Sequence, residues 1–269
     1  MQTAPSEPAT ISDALDPARA DALAVTLGLG ARFAVGDALP PFFHQVYFWD
    51  AKPAAALGRD GHPRVGGLIP DMGLPRRMWA GGRLTFHAAL SAGVRAEKRS
   101  SCQSAARKQG RSGVLGLVTL RHEIMQAGTL RVTEFQDLVY RPEADPLAPK
   151  PAPPQAPLDE ESRQRADFSQ TLLFRYSALT FNGHRIHYDL PYARDVEGYD
   201  GLVVHGPLLA QMLMLMATNE LGPLCRFSFR ATAPLMHFEH ATLCRKGHDL
   251  WVRGPDGRMC MTAQAEPAS

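Results

Sequence analysis

A helix that is apolar on nearly every side is the strongest constraint in this sequence. Residues His205 to Leu221 read HGPLLAQMLMLMATNEL, with Pro207 in the first turn and Gly222 and Pro223 directly after the end. Proline is favoured in the first turn of a helix, and a following glycine ends one. A surface helix needs only one apolar stripe, so this helix must be surrounded by protein. The sequence therefore predicts a helix wrapped by a curled sheet.

The segments around this helix predict strands. They are Gln170–Thr180 before it and Cys225–Thr232, Ala241–Lys246, Asp249–Val252 and Met259–Ala265 after it. The GPDG at residues 254–257 is typical of a hairpin turn, so the later runs predict an antiparallel meander. One strand, a loop, a buried helix and a meander is the order of a hot-dog fold, which belongs to the α+β class.

A proline-rich stretch divides the chain nearly in half. Residues 141–157, RPEADPLAPKPAPPQAP, hold seven prolines in 17 residues and predict a stiff, extended linker. A chain of 269 residues is long enough for two domains. We therefore predict a double hot-dog fold, with an N-terminal domain at 1–141, a linker at 142–165 and a catalytic domain at 166–269.

The first half shows the same order less clearly. Its predicted elements are a helix at Ile11–Leu27 capped by Ser12, irregular loops at Gly36–Gly82, and strands at Arg83–Leu90, Leu115–Met125 and Gly128–Tyr140. The glycine- and proline-rich loops offer little helical periodicity. We infer that this half is a diverged hot-dog domain.

Composition excludes several classes of function. The 29 basic and 27 acidic residues are scattered, so the charge pattern predicts no nucleic-acid partner. The four cysteines form no CxxC pair, and we predict neither a metal site nor a redox cofactor. No run of about 18 apolar residues is present, and the N-terminal residues lack a secretory pattern, so we expect no membrane partner and a cytoplasmic location.

The polar segment after the linker carries a specific motif. Residues 181–213 read FNGHRIHYDLPYARDVEGYDGLVVHGPLLAQML and resemble the hydratase motif of the MaoC-like and type 2 hydroxyacyl-thioester dehydratase families. Asn182 stands where those families usually have Asp, and His184 where they usually have Asn. The positions that agree are His187, Asp189, Tyr192, Ala193, His205 and Gly206.

The first half is similar to a narrower branch, the mesaconyl- and itaconyl-CoA hydratases. The segments that carry this likeness are LPRRMWAGGRLTF at 74–86, RKQGRSG at 107–113 and EFQDLVYR at 134–141. The resemblance implies reversible hydration of a short, branched, dicarboxylic enoyl-CoA, with coenzyme A as part of the substrate and no separate cofactor. Two alternatives remain open: a 3-hydroxyacyl-thioester dehydratase of fatty-acid synthesis, and an acyl-thioester binding protein without turnover.

The chemistry assigns roles to the motif residues. Hydration needs a base for water, a proton for the α-carbon and donors for the thioester oxygen. His187 is the predicted base, Asn182 is predicted to orient the water, and His184 either shares the acid–base work or hydrogen-bonds across the loop. Gly206 would offer its N–H to the thioester oxygen at the helix N-terminus.

Substrate binding is expected to involve further residues of both halves. The candidates are Arg76, Arg77, Arg83, Tyr192 and His205. The three arginines could bind either coenzyme A phosphates or a free carboxylate of the acyl chain, although solvated surface charge is the alternative explanation. A homo-oligomer is left open as a partner arrangement.

Overall fold

The computed structural model describes residues 8–110, 113–143 and 152–268, and all ten strands within them form one antiparallel sheet. The strands are β1 Ala9–Asp13, β2 Arg76–Phe86, β3 Ala96–Gly110, β4 Gly113–Gln126, β5 Thr129–Arg141, β6 Ser162–Asp167, β7 Leu224–Ala231, β8 His240–Lys246, β9 Asp249–Arg253 and β10 Met259–Pro267. The helices are α1 Pro17–Thr26, α2 Gln170–Leu179 and α3 Gly206–Leu221.

The sheet consists of two five-stranded halves with the same internal order. From the centre outward, the first half runs β2, β5, β4, β3, β1 and the second runs β7, β10, β9, β8, β6. If the strands are numbered separately within each half, both halves have the same order from the centre outward: second, fifth, fourth, third and first. This repeat confirms the predicted α+β class and double hot-dog fold.

The two halves meet where β2 pairs with β7. The register runs from Gly81 opposite Arg230 to Thr85 opposite Arg226. A side chain on Gly81 would place its first carbon 2.6 Å from the carbonyl oxygen of Phe229. Glycine is therefore required for the two halves to approach this closely.

Helix α3 is enclosed as the sequence predicts. It packs against β2, β7, β8, β9 and β10. Nine of its side chains are buried, and they are Pro207, Leu208, Leu209, Ala210, Gln211, Leu213, Met214, Met216 and Ala217. The curled second half of the sheet supplies the apolar surroundings that a helix without a polar face needs.

Two predictions of local structure are wrong. Residues Ile11–Leu27 contain the end of β1 and the shorter helix α1. The cap of α1 is Asp16 rather than Ser12, and the Asp16 side chain accepts the N–H of Ala18. Residues Gln170–Thr180 form α2 instead of a strand. Ser169 caps α2, and the buried residues Leu173, Tyr176 and Ser177 follow helical spacing against α1.

The strand bounds also differ in the first half. β2 begins at Arg76, seven residues before the predicted start, because it extends along β5 as far as Arg141. β3 was missed because it is largely polar and has only Ala96 and Ser100 buried, so apolar alternation does not mark it.

The predicted linker ends earlier than expected. Ser162–Asp167 forms β6 at the edge of the second half, so residues 162–165 belong to the sheet. Gln155 bridges to Arg258, while residues 144–151 of the linker lie outside the described residues. The assignment of the two halves to separate domains remains a prediction.

The interior of the first half has no long central helix among the described residues. Between α1 and β2 the chain forms only the 3-10 turns Phe43–Val46 and Ala54–Ala56. The aromatic side chains of Phe42, Phe43, Tyr47 and Phe48 are buried there and fill this space. No helix within the described residues is both long and apolar enough to cross a membrane.

Candidate active site

The loop Phe181–Asp189, between α2 and a π turn at Tyr192–Val196, holds three of the predicted catalytic residues. The side-chain oxygen of Asn182 accepts the backbone N–H of His184 at 3.0 Å. Arg185 forms an ion pair with Asp189 at 2.7 Å. These two interactions fix the backbone conformation of the loop, and the role of Asp189 is to stabilise it through its ion pair with Arg185.

His187 is held as a neutral imidazole. It is 6% exposed, and its Nδ1 lies 2.7 Å from the carbonyl oxygen of Val203. A carbonyl only accepts, so Nδ1 donates, and Nε2 of the neutral ring carries the lone pair. Burial lowers the pKa of His187 to about 3, against the opposing effect of the bond to Val203. The ring is therefore unprotonated at neutral pH, with the lone pair of Nε2 free to act on a water molecule.

His205 supports the ring of His187. The two imidazoles stack with centroids 3.6 Å apart and an interplanar angle of 19°. His205 is fully buried at the N-cap of α3, and its Nε2 lies 2.8 Å from the hydroxyl of Ser177. Burial, and then the neighbouring His187, lower the pKa of His205 well below its usual range. This contact fixes where Nε2 of His187 can point.

Four imidazoles form a continuous row. The ring of His184 lies edge-on to that of His187 at 5.4 Å, and the ring of His62 lies 4.5 Å from that of His184. Burial, followed by the charges of His62 and His187, lowers the pKa of His184. The histidine row therefore comprises His62, His184, His187 and His205. Its first member comes from the N-terminal half.

Gly206 opens α3 directly beside the histidine row. The first N–H groups of a helix lack partners within the helix, and the helix dipole favours negative charge there. A first side-chain carbon on Gly206 would approach nothing closer than the carbonyl oxygen of Trp79, at 3.7 Å. Packing within the chain therefore does not require glycine here. An open approach to the helix N-terminus is the remaining reason for it.

Arg76 and Tyr192 have internal partners. Arg76 Nε donates to the carboxylate of Glu197 at 2.6 Å, and the hydroxyl of Tyr192 donates to the same carboxylate at 3.1 Å. Glu197 is 6% exposed. A buried carboxylate with two such donors is satisfied, so this arrangement braces the π turn and leaves neither side chain free as an open anion contact.

The other two arginines differ from each other. Arg77 has no carboxylate oxygen within 4.0 Å of its guanidinium in the described ranges, yet its positive charge lowers the pKa of His62 and of His184. Arg83 pairs with Asp137 at 2.6 Å and lines a depression of about 630 Å³ on the sheet, whose lining contains no member of the histidine row. Arg76 also lowers the pKa of His184, but Arg77 is the one of the three arginines that acts on the row and forms no ion pair among the described residues.

Asp60, His62 and His184 each offer a ligand-type atom, and these atoms lie within 4.8 Å of one another. Such spacing could accommodate a small cation. However, the positive charge of Arg77 acts on both His62 and His184, and like charge opposes a cation between them. We assign no metal role to these residues.

Sequence reasoning missed Asp60 and His62. Both lie in the string GRDGHP at residues 58–63, within the irregular loops of the first half and outside the segments that carry the family resemblance. An Asp two residues before a His was the available signal. Its proximity to the motif loop could not be foreseen, because about 120 residues separate the two segments along the chain.

Asn182 yields a prediction that separates two roles for its side chain. Aspartate at this position keeps an oxygen for the N–H of His184, whereas alanine loses a hydrogen bond of about 1 kcal/mol that shapes the loop. We expect Asn182→Ala to lower the turnover number by roughly tenfold and Asn182→Asp to lower it much less. Turnover of one enoyl-CoA by both variants is the measurement. Equal losses would instead show that the amide N–H₂ acts as a required donor.

Comparison with known proteins gives a consistent result. A family model described as hydroxyacyl-thioester dehydratase type 2 matches residues 42–237. The mesaconyl-C(4)-CoA hydratase of Chloroflexus aurantiacus is 42% identical over 265 residues, which cover 95% of this chain and 94% of that protein.

Solved structures share the fold. A MaoC-like dehydratase from Phytophthora capsici superposes with a TM-score of 0.70 at 11% identity, covering 98% of this chain and 97% of that one. A Mycobacterium tuberculosis protein described as having a double hotdog fold gives a TM-score of 0.56 at 14% identity, with coverage of 98% and 96%. At these identities the likeness concerns the fold alone.

Proposed function

Because the chain belongs to the hydroxyacyl-thioester dehydratase type 2 family and is a hydro-lyase of that type, we propose that its substrate is a short enoyl-CoA with a free carboxylate on the acyl chain. Mesaconyl-CoA and itaconyl-CoA are substrates of this class. The observation that carries the proposal is that Arg77, on β2 opposite Tyr140, forms no ion pair among the described residues, whereas Arg76 and Arg83 do. Its charge lowers the pKa of Asp60 and of His62 at one end of the histidine row.

The residues around Gly206 support water addition. Nε2 of His187 accepts a proton from water as the water oxygen bonds to the β-carbon. The electron pair of the double bond moves toward the thioester oxygen, where the N–H of Gly206 at the α3 N-terminus stabilises the developing charge. His205 holds His187 in place through the stacked ring contact.

Arg77 would select the acyl chain in this proposal. A guanidinium binds a carboxylate through two parallel N–H donors, and such charge-assisted bonds contribute more than neutral ones. Arg76 and Arg83 are already paired with Glu197 and Asp137. An acyl carboxylate near the histidine row would give Arg77 a direct ion pair in addition to its longer-range attraction to Asp60.

The test compares wild type, Arg77→Met and the control Arg226→Met on mesaconyl-CoA and crotonyl-CoA, which differ in the acyl carboxylate. Arg226 is an exposed residue of β7 paired with Glu266. We expect Arg77→Met to lower kcat/KM for mesaconyl-CoA by roughly tenfold to a hundredfold, the range of a hydrogen bond to a charged group, while crotonyl-CoA changes little.

Three results would contradict this proposal. Equal losses of kcat/KM on both substrates would show that Arg77 does not bind the acyl carboxylate. A wild-type preference for longer monocarboxylic enoyl thioesters would favour the alternative, a 3-hydroxyacyl-thioester dehydratase of fatty-acid synthesis. Turnover of neither class would contradict the proposed substrate group as a whole.

A further inference from the structure

A carboxylate–imidazole pair from the N-terminal half lies at one end of the histidine row. The Nδ1 of His62 is 3.1 Å from Oδ2 of Asp60, and the backbone N–H of His62 donates to Oδ1 of the same carboxylate at 3.0 Å. The two side chains are only 15% and 16% exposed. With Nδ1 donating to Asp60, Nε2 is the atom of His62 that remains for chemistry.

This pair is locked against the motif loop. A side chain on Gly61 would place its first carbon 2.0 Å from the carbonyl oxygen of Gly183, and one on Gly183 would lie 2.6 Å from that of Gly61. The backbone N–H of Arg185 also donates to the carbonyl of Asp60 at 2.9 Å. The position of His62 is therefore fixed by the same loop that carries His184 and His187.

The Asp60–His62 pair supplies the carboxylate that is missing from the motif loop. The related families usually have a carboxylate where this chain has Asn182, and an uncharged amide has no useful basicity. The oxygen of Asn182 is also committed to the N–H of His184. Within the described residues, Asp60 is the carboxylate hydrogen-bonded to a member of the histidine row.

We propose that His62, oriented by Asp60, is the second acid–base group of this site and delivers the proton that the α-carbon gains. The proposal rests on the enoyl-CoA hydration proposed above. In this step Nε2 of His62 would contact the reacting carbon, which makes His62 a catalytic residue, and Asp60 would be a positioning residue. One site would then be assembled from both halves of the chain.

The step balances. The water oxygen bonds to the β-carbon, and His187 Nε2 takes one proton from that water. The electron pair of the carbon–carbon double bond forms a C–H bond at the α-carbon with the proton from Nε2 of His62. His187 ends protonated and His62 neutral. The ring of His184 lies between theirs, and both imidazoles regain their starting protonation states by exchange with solvent after the product leaves.

Four charged or titratable groups act on His62, and they are Asp60, Arg77, His184 and His187. Burial and then the charge of Arg77 lower the pKa of His62, while Asp60 raises it. A substrate carboxylate paired with Arg77 would neutralise that cation. Binding of such a substrate therefore favours the protonated form of His62 that the step requires.

The experiment measures kcat against pH for wild type, His62→Asn, Asp60→Asn and the control His248→Asn, an exposed histidine beyond the site. Because His62 acts when protonated, wild-type kcat should fall on the basic side. We expect His62→Asn to lower kcat by roughly a hundredfold or more with little change in KM and to remove this basic limb. Asp60→Asn should retain the limb but move it to lower pH, since the imidazolium loses its carboxylate.

The outcomes separate this inference from the proposed function. An enoyl-CoA hydratase whose His62→Asn variant keeps wild-type kcat, or keeps the basic limb unchanged, overturns the role of His62 alone. If His62→Asn does not fold, the direction of the shift in Asp60→Asn decides, and an unmoved limb overturns the proposal. Activity lost to EDTA and restored by Zn²⁺ would also overturn it. A wild-type protein inactive on every enoyl-CoA contradicts the proposed function instead.

Discussion

Replacing His187 with alanine is expected to lower the turnover number for enoyl-CoA hydration by roughly a hundred- to ten-thousandfold, the usual contribution of a positioned base. Among the described residues, the ring forms one hydrogen bond, from Nδ1 to the carbonyl of Val203, and stacks on one neighbour, His205. Both leave Nε2 available for water. Initial rates on mesaconyl-CoA, with thermal unfolding as a check on folding, measure the effect.

The pH dependence of wild type provides a second readout for His187. Burial lowers its pKa to about 3, so the ring loses its proton well below pH 6.5 and stays neutral as pH falls from 7 toward 5. The acid limb of kcat/KM should therefore lie far below the range of an ordinary histidine. His248→Ala serves as the matched control. A His187→Ala variant within about threefold of wild type would remove His187 as the base.

A valine at Gly206 is expected to impair both substrate binding and turnover, with a loss in kcat of roughly a hundred- to thousandfold if the N–H is the oxyanion donor. The first side-chain carbon itself fits, since its nearest neighbour is the carbonyl oxygen of Trp79 at 3.7 Å. The damage would therefore come from methyl groups that keep the thioester oxygen away from the helix N-terminus. Steady-state kcat and KM on one enoyl-CoA measure it.

Gly30→Val is the matched control for this substitution. Gly30 is exposed, and a side chain there would meet no atom within 4 Å. We expect Gly206→Ala to give an intermediate loss and the Gly30 variant to match wild type in both kinetics and thermal unfolding. Normal kinetics in Gly206→Val would show that this amide does not stabilise the thioester oxygen.

The sequence by itself determined the features that repeat locally or carry a specific motif. The apolar surface of α3 required an enclosing sheet, and the turn residues predicted the meander that follows it. The buried helix and the meander after it were sufficient for the hot-dog fold, although the strand before the helix is β6 at Ser162–Asp167 and not Gln170–Thr180. The motif at 181–213 was sufficient for the family, because several chemically specific residues recur there at fixed spacing.

Local sequence patterns gave wrong secondary-structure predictions for a short helix and a polar strand, because both depend on tertiary packing. α2 has an apolar, aromatic sequence that is also typical of a strand. Its packing against α1 and the N-terminal cap at Ser169 stabilise the helix instead. β3 buries few of its side chains, so its ladder with β4 rather than its own alternation defines it. Propensity is a weak prior wherever tertiary contacts supply the larger free energy.

Only the tertiary structure decided which groups meet at the site. It joined Asp60 and His62 to the histidine row, separated Arg77 from the paired Arg76 and Arg83, and placed His205 behind His187. These relations connect side chains that are distant along the chain, through the contact of Gly61 with Gly183 and the seam between β2 and β7. Linear spacing carries no information on such distances, since they are set by how the two halves pack together.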